Sequence, residues 1–186
     1  MTNISKIEEY NSKIKRILVT KDEIDSAIKE LGKKITASYD GTPFLLVGIL
    51  KGSFVFMADL CRAIDAPCEI AFMCVKSYFD GTESSGEVQV VMDLDRDISK
   101  YHVIIAEDII DTGRTLKKIV ELLNKRNPLS LQVVTLLDKP ARRVVEFNAD
   151  VSLFTIPDHY VIGFGLDCAE QYRNLPYIAE YNCGDN

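Results

Sequence analysis

The stretch Val103 to Leu116, reading VIIAEDIIDTGRTL, constrains the fold of this chain more than any other. Val103, Ile104, Ile105 and Ala106 form the short, continuously apolar run expected of a strand buried on both faces of a parallel sheet. Glu107 and Asp108 follow at its carboxyl end, and Asp111, Thr112, Gly113, Arg114 and Thr115 then supply a flexible turn with hydroxyls just before a helix start. The first N–H groups of a helix lack intrahelical partners and carry the positive end of the dipole, so an anion such as phosphate is favoured there.

The rest of the chain alternates in the same way. Thr20 and Glu23 can form a capping box, after which Ile24, Ile28, Leu31 and Ile35 fall on one face of a packing helix. Phe44 to Leu50 reads as a buried strand, followed by Lys51-Gly52-Ser53 and a helix through Ile64, with Pro67 closing the unit. A second strand is expected near Glu69 to Val75, and from Lys76 to Gln89 the pattern breaks into a long polar loop of the kind that often serves as a lid. The helix after Thr115 turns Leu116, Ile119, Val120 and Leu123 inward, Gln132 to Leu137 is another strand, and weaker ones lie near Ser152 to Ile156 and Tyr160 to Gly165. Strands alternating with helices imply right-handed crossovers, a parallel sheet, and ligand loops gathered at the carboxyl ends of its strands.

With 186 residues, 47% hydrophobic and 27% charged, the chain is long enough for one substantial core and short for two catalytic domains. A single domain over 1–186 is expected. The net charge of -6 argues against a generally basic nucleic-acid surface, so an anionic ligand must be held by local amides, a few cations and a bridging metal. Cys61, Cys68, Cys74, Cys168 and Cys183 are odd in number and lack a CxxC pair, which suggests neither a zinc cage nor a disulfide framework and fits reduced thiols in a cytoplasm. Neither a signal-peptide core nor a membrane-spanning run is visible.

At the acids and the Asp-Thr-Gly-Arg-Thr turn the chain resembles the type I phosphoribosyltransferases, whose phosphoribosyl pyrophosphate loop has this order. Four further segments resemble the hypoxanthine-guanine members of that family. They are Leu50-Lys51-Gly52-Ser53; Lys76-Ser77-Tyr78 with Ser84-Ser85-Gly86; Leu137-Asp138-Lys139-Pro140; and Pro157 to Asp167 ending in Tyr172-Arg173. The resemblance implies an α/β fold with about five parallel strands flanked by helices, in a core over 40–156. It adds a small hood from the N-terminal and 157–186 segments, and a mobile loop over 76–89.

The same resemblance implies transfer of ribose 5-phosphate from phosphoribosyl pyrophosphate to N9 of hypoxanthine or guanine, with magnesium (Mg2+) as cofactor, in a homodimer or homotetramer. It makes Leu50-Lys51 a cis peptide whose turn, with Gly52, faces pyrophosphate. Ser77 and Tyr78 cover the reacting groups, and Thr112, Gly113, Arg114 and Thr115 hold the 5-phosphate. Lys139 donates to the purine 6-oxo group, Tyr160 stacks on the base, Val161 contacts it through its backbone, and Arg173 meets pyrophosphate. Glu107 and Asp108 hold the ribose hydroxyls directly or through magnesium, Asp167 is a magnesium ligand, and Asp111 is the general base at N7. Arg142 and Arg143 are expected to be solvated or at a subunit interface, with no chemistry.

Other readings fare worse. Gly163-Phe164-Gly165 lacks a third glycine at Cys168, so a dinucleotide fingerprint fails; Asp93, Asp95 and Asp97 mimic a calcium loop, but Ile98 and Ile104 stand where glycine and glutamate are needed. His102 and His159 share no metal-ligand spacing. Two alternatives stay open: a transferase that also accepts xanthine, and a nucleic-acid-binding regulator on the same fold.

Overall fold

A computed structural model describes residues 3–39, 42–77 and 88–183. Helix α1 (Asn3–Ser12) and strand β1 (Ile14–Val19) lead into α2 (Lys21–Ser38), which starts at the capping box of Thr20 and Glu23 and buries Ile24, Ile28, Leu31 and Ile35. Then come β2 (Phe44–Leu50), α3 (Phe54–Ala63), β3 (Cys68–Ser77), β4 (Val88–Met92) and β5 (His102–Ile110). Helix α4 (Arg114–Asn124), β6 (Ser130–Asp138), a 3-10 turn (Pro140–Arg142), β7 (Val151–Thr155), β8 (Val161–Ile162) and β9 (Ile178–Tyr181) complete the chain.

The main sheet has the order β4-β3-β2-β5-β6-β7. Five of its strands are parallel, as expected of such apolar runs, and the sixth, β4, pairs antiparallel with β3. The polar stretch expected to run on to Gln89 ends earlier, and Val88 to Met92 gain strand structure by pairing with the edge of β3. One face of the sheet packs Leu46, Ile104, Ala106, Val134 and Leu136 against α2 and α3, the other packs Leu45, Val47, Val103, Ile105 and Val133 against α4. Both faces are thus covered, which explains the unbroken apolar runs. Val120, expected inward on α4, is only partly buried beside Leu116, Ile119 and Leu123.

A second sheet, β1-β9-β8, forms the hood by joining the start of the chain to its end. Tyr10 stacks on Tyr172 at 4.0 Å between ring centres, and the Tyr172 hydroxyl donates to the Tyr10 carbonyl at 3.1 Å. The strand expected over Tyr160 to Gly165 is confined to Val161–Ile162, because Gly163, Phe164 and Gly165 take φ values of 96°, 49° and 101° and curl away from extended pairing. All five cysteines are free thiols; Cys61 and Cys68 lie 3.9 Å apart, and burial pushes Cys68 up to about 11.

Candidate functional site

Strands β2 and β5 are paired only from Phe44–His102 to Gly48–Ala106, whereas β5 and β6 stay paired on to Ile110–Asp138. Beyond Ala106 the two central strands therefore part. The connection from β2 runs through α3 to β3 on one side and that from β5 through α4 to β6 on the other, so the opening falls where open α/β sheets bind ligands. Glu107 and Asp108 lie in this opening. They belong to the last stretch of β5 rather than following it, since β6 alongside continues to supply ladder partners such as Thr135 for Glu107.

The chain segments that close on the opening come within contact distance. The Leu50–Lys51 peptide is cis. Gly52 faces Asp108 so closely that a Cβ there would overlap the Asp108 carboxylate, and a Cβ on Gly165 would overlap the Gly52 carbonyl oxygen. Arg173 donates through Nη1 to the Gly165 carbonyl at 2.8 Å and lies 2.9 Å from Asp167 Oδ1 and 3.1 Å from Glu170 Oε2 through Nη2. Lys51 joins the same network at 3.1 Å from Glu170, and Asp167 Oδ2 accepts the Glu170 N–H at 2.9 Å. Lys51, Gly52, Asp108, Asp167 and Arg173 are thus brought together from three separate parts of the chain.

Electrostatically the opening is unbalanced. Burial raises the Glu107 carboxyl well above its ordinary range, with neighbouring Asp108 adding to the effect. Burial likewise pushes Asp108 up to about 6, although its carboxylate accepts the Ile109 N–H at 2.8 Å and feels Arg173. Glu107 Oε2 is buried with no hydrogen-bond partner among the described residues. Adjacent desolvated carboxylates with an unused oxygen suit a hard divalent cation. Among the described residues no three His, Cys, Asp or Glu side chains gather into a metal cage. Asp167 has both oxygens engaged, so direct ligation by it requires exchange of its Arg173 contact.

Just past the end of β5, Asp111 Oδ1 is buried and makes no hydrogen bond among the described residues. Lys139, only 5% exposed at the end of β6, places Nζ 3.5 Å from that oxygen, and Arg142 places Nε 3.8 Å from it. Arg142 also reaches Asp158 at 3.4 Å. Arg143 turns inward, donating to the carbonyls of Ile110, at 3.2 Å, and Asp111, and pairing with Asp138. Neither arginine is simply solvated. The usable signal was their place, immediately after a strand at the ligand-binding edge of the sheet.

Gly113 caps α4 at φ 79°, so Arg114 and Thr115 open the helix, and Thr112 Oγ1 accepts the Arg114 N–H at 3.4 Å. Tyr160 is 49% exposed, tilted 54° to Tyr181 at 5.7 Å, and its hydroxyl donates to the Asp167 carbonyl at 3.2 Å. Val161 is buried and pairs with Glu180, whose carboxylate Lys15 and Arg16 each hold at 2.8 Å. Ser77 ends β3, while Tyr78 and Ser84-Ser85-Gly86 lie outside the described residues.

Residues 18–171 match the phosphoribosyl transferase domain. A hypoxanthine-guanine phosphoribosyltransferase of Streptococcus pneumoniae is 52% identical over 165 residues, 89% of this chain and 92% of that protein. The crystal structure of a hypoxanthine phosphoribosyltransferase from Staphylococcus aureus superposes with a TM-score of 0.89 at 49% identity, covering 92% of this chain and 94% of that one. A hypoxanthine-guanine phosphoribosyltransferase from Bacillus anthracis, with a HEPES molecule in its active site, gives 0.85 at 42% identity over 90% of this chain and 98% of that one.

Proposed function

The chain belongs to the type I phosphoribosyltransferase family, in its hypoxanthine-guanine group, and from that premise we propose how its residues divide the work. The reaction moves ribose 5-phosphate from phosphoribosyl pyrophosphate to N9 of hypoxanthine or guanine, giving IMP or GMP and pyrophosphate. In it the C1′–O bond to pyrophosphate breaks, a C1′–N9 bond forms, and the proton on N7 leaves the purine.

One observation carries the assignment of the base site. Asp111 Oδ1, an acceptor without a hydrogen bond among the described residues, stands 3.5 Å from Lys139 Nζ, a nearly buried donor. A 6-oxopurine presents the complementary pair along one edge, an N7 proton and an O6 acceptor. Asp111 takes the N7 proton as N9 attacks, and Lys139 holds O6. Adenine would turn an amino group toward the ammonium, leaving donor against donor, so Lys139 selects the oxo group. The ring of Tyr160 covers the base and the backbone of Val161 meets its edge.

The 5-phosphate binds to the turn Thr112 to Thr115, where the amides at the start of α4 face an anion. Glu107 and Asp108 take the ribose hydroxyls. Lys51, the Gly52 turn and Arg173, whose buried Nε has no partner among the described residues, receive pyrophosphate. Glu107 and Asp108, with Asp167 nearby, would hold magnesium, which would supply positive charge to the leaving pyrophosphate. Ser77 and Tyr78 exclude water.

No helix among the described residues is long and apolar enough to cross a membrane. Cytoplasmic action, assembly into a dimer or tetramer, a single domain over 1–186 and no role in nucleic-acid binding belong to the same proposal, the last supported by the acidic charge. The decisive experiment measures nucleotide formation from phosphoribosyl pyrophosphate and magnesium with hypoxanthine, guanine, xanthine, adenine and uracil in parallel. Turnover is expected with hypoxanthine or guanine. Turnover with adenine or uracil alone would remove the role given to Lys139.

A further inference from the structure

Three consecutive carbonyls of the loop between β5 and α4 are taken up by one short segment after β6. The Ile110 carbonyl accepts the Lys139 N–H at 3.0 Å and Arg143 Nη1 at 3.2 Å. The Asp111 carbonyl accepts Arg143 Nη1 as well, and the Thr112 carbonyl accepts the Val144 N–H at 3.1 Å. The guanidinium is fixed in turn by the Asp138 carboxylate, and the Arg143 side chain is only 13% exposed. Its stem lies over Gly113, where an added Cβ would stand 3.0 Å from Arg143 Cδ and 3.2 Å from Val145 Cγ2.

In a planar trans peptide the C=O and the N–H of the next residue point in opposite directions. Drawing the carbonyls of residues 110, 111 and 112 toward the 139–144 segment therefore turns the N–H groups of Asp111, Thr112 and Gly113 toward the opposite face of the loop. Successive amides aimed the same way, next to the start of α4, make an anion-binding concavity. The charge of Arg143 is neutralised by Asp138, so its contribution is geometric rather than an added cation for the phosphate.

We infer that Arg143 is a positioning residue, which sets the direction of the phosphate-binding amides by holding the Ile110 and Asp111 carbonyls against Asp138. This rests on the assignment of the turn to the 5-phosphate. A fork of five donors in one plane meets two carbonyls and a carboxylate together, whereas an ammonium keeps the charge without that planar reach. Arg143→Lys should therefore fail as a conservative change.

The test compares wild type, Arg143→Lys, Arg143→Gln and Asp138→Asn. Steady-state kinetics are measured with phosphoribosyl pyrophosphate and hypoxanthine, and ribose 5-phosphate binding by calorimetry, which needs no turnover. Expected are a rise of about 10- to 100-fold in KM for phosphoribosyl pyrophosphate, a similar weakening of ribose 5-phosphate, and KM for hypoxanthine within about twofold. Guanidinium ion added to Arg143→Gln should restore part of the loss. If the folded variants, Arg143→Lys included, keep wild-type KM for phosphoribosyl pyrophosphate and wild-type ribose 5-phosphate binding, or if both KM values rise together, Arg143 has no such role. Failure of the wild type to bind ribose 5-phosphate or to turn over any purine would instead overturn the assignment of the site.

Discussion

Gly52 lies against Asp108 with no room for a methyl group: a Cβ at position 52 would overlap the Asp108 carboxylate. The atom in the way is the end of a side chain, which can rotate, rather than backbone. Gly52→Ala should therefore fold with a Tm within a few degrees of wild type, yet lose about 100-fold in kcat/KM because the acid is displaced from the ribose. A thermal melt beside a kinetic assay checks both halves, and full activity would show that Asp108 is not needed in that position.

The buried acids make stability depend on pH. Asp108 is raised from its ordinary 3.8 to about 6, so between those values the folded state holds a proton that the unfolded chain releases. Its contribution to stability accordingly falls as pH rises through that window, and above 6 an unfavourable buried charge persists. Asp108→Asn is expected to be more stable than wild type at pH 8 without magnesium, by about 1–3 kcal/mol or roughly 2–10 °C in Tm. Near pH 4 the gap should close. Melting curves across pH, with the sign of the difference as readout, decide it.

Removing the Lys139 ammonium tests base selection. Lys139→Gln retains a donor of similar reach but loses the charge, so kcat/KM for hypoxanthine should fall about 100-fold while adenine, no longer opposed by a cation, loses far less. An unchanged preference between the two bases, measured in competition, would remove Lys139 from selection.

Tyr160 offers a half-exposed ring held by its hydroxyl to the Asp167 carbonyl. Tyr160→Phe should keep hypoxanthine KM within about threefold, whereas Tyr160→Ala should raise it about 5- to 20-fold with little effect on KM for phosphoribosyl pyrophosphate. Equal effects of the two changes on purine KM would argue that the hydroxyl, not the ring face, matters.

Much of the fold and the candidate site was legible because it is local. The apolar runs at Phe44–Leu50 and Val103–Ala106, the capping box at Thr20 and the Asp-Thr-Gly-Arg-Thr turn each state their structure within a few residues. Arg143 was not legible: its partners are main-chain carbonyls some thirty residues earlier, and any residue type supplies a carbonyl. The position of Asp108 against Gly52 and of Gly52 against Gly165 depends on three loops meeting, as does the Arg142 contact with Asp111, and no spacing encodes such meetings. Strand β4 was missed because its own apolar residues gain meaning only from the edge of β3 beside them.

The hood sheet, β1-β9-β8, also sets an order in time. A chain emerging from the ribosome has β2, β5, α4 and β6 available before β8 and β9, so the side of the opening around Asp111 to Thr115 can be assembled while synthesis continues. The two residues of β8 that follow Tyr160 find no partner until Ile178 to Tyr181 arrive, and these close onto a β1 made at the outset. A chain truncated just short of β9 would therefore keep the turn from Asp111 to Thr115 and lack the strand that joins Val161 and Ile162 to β1.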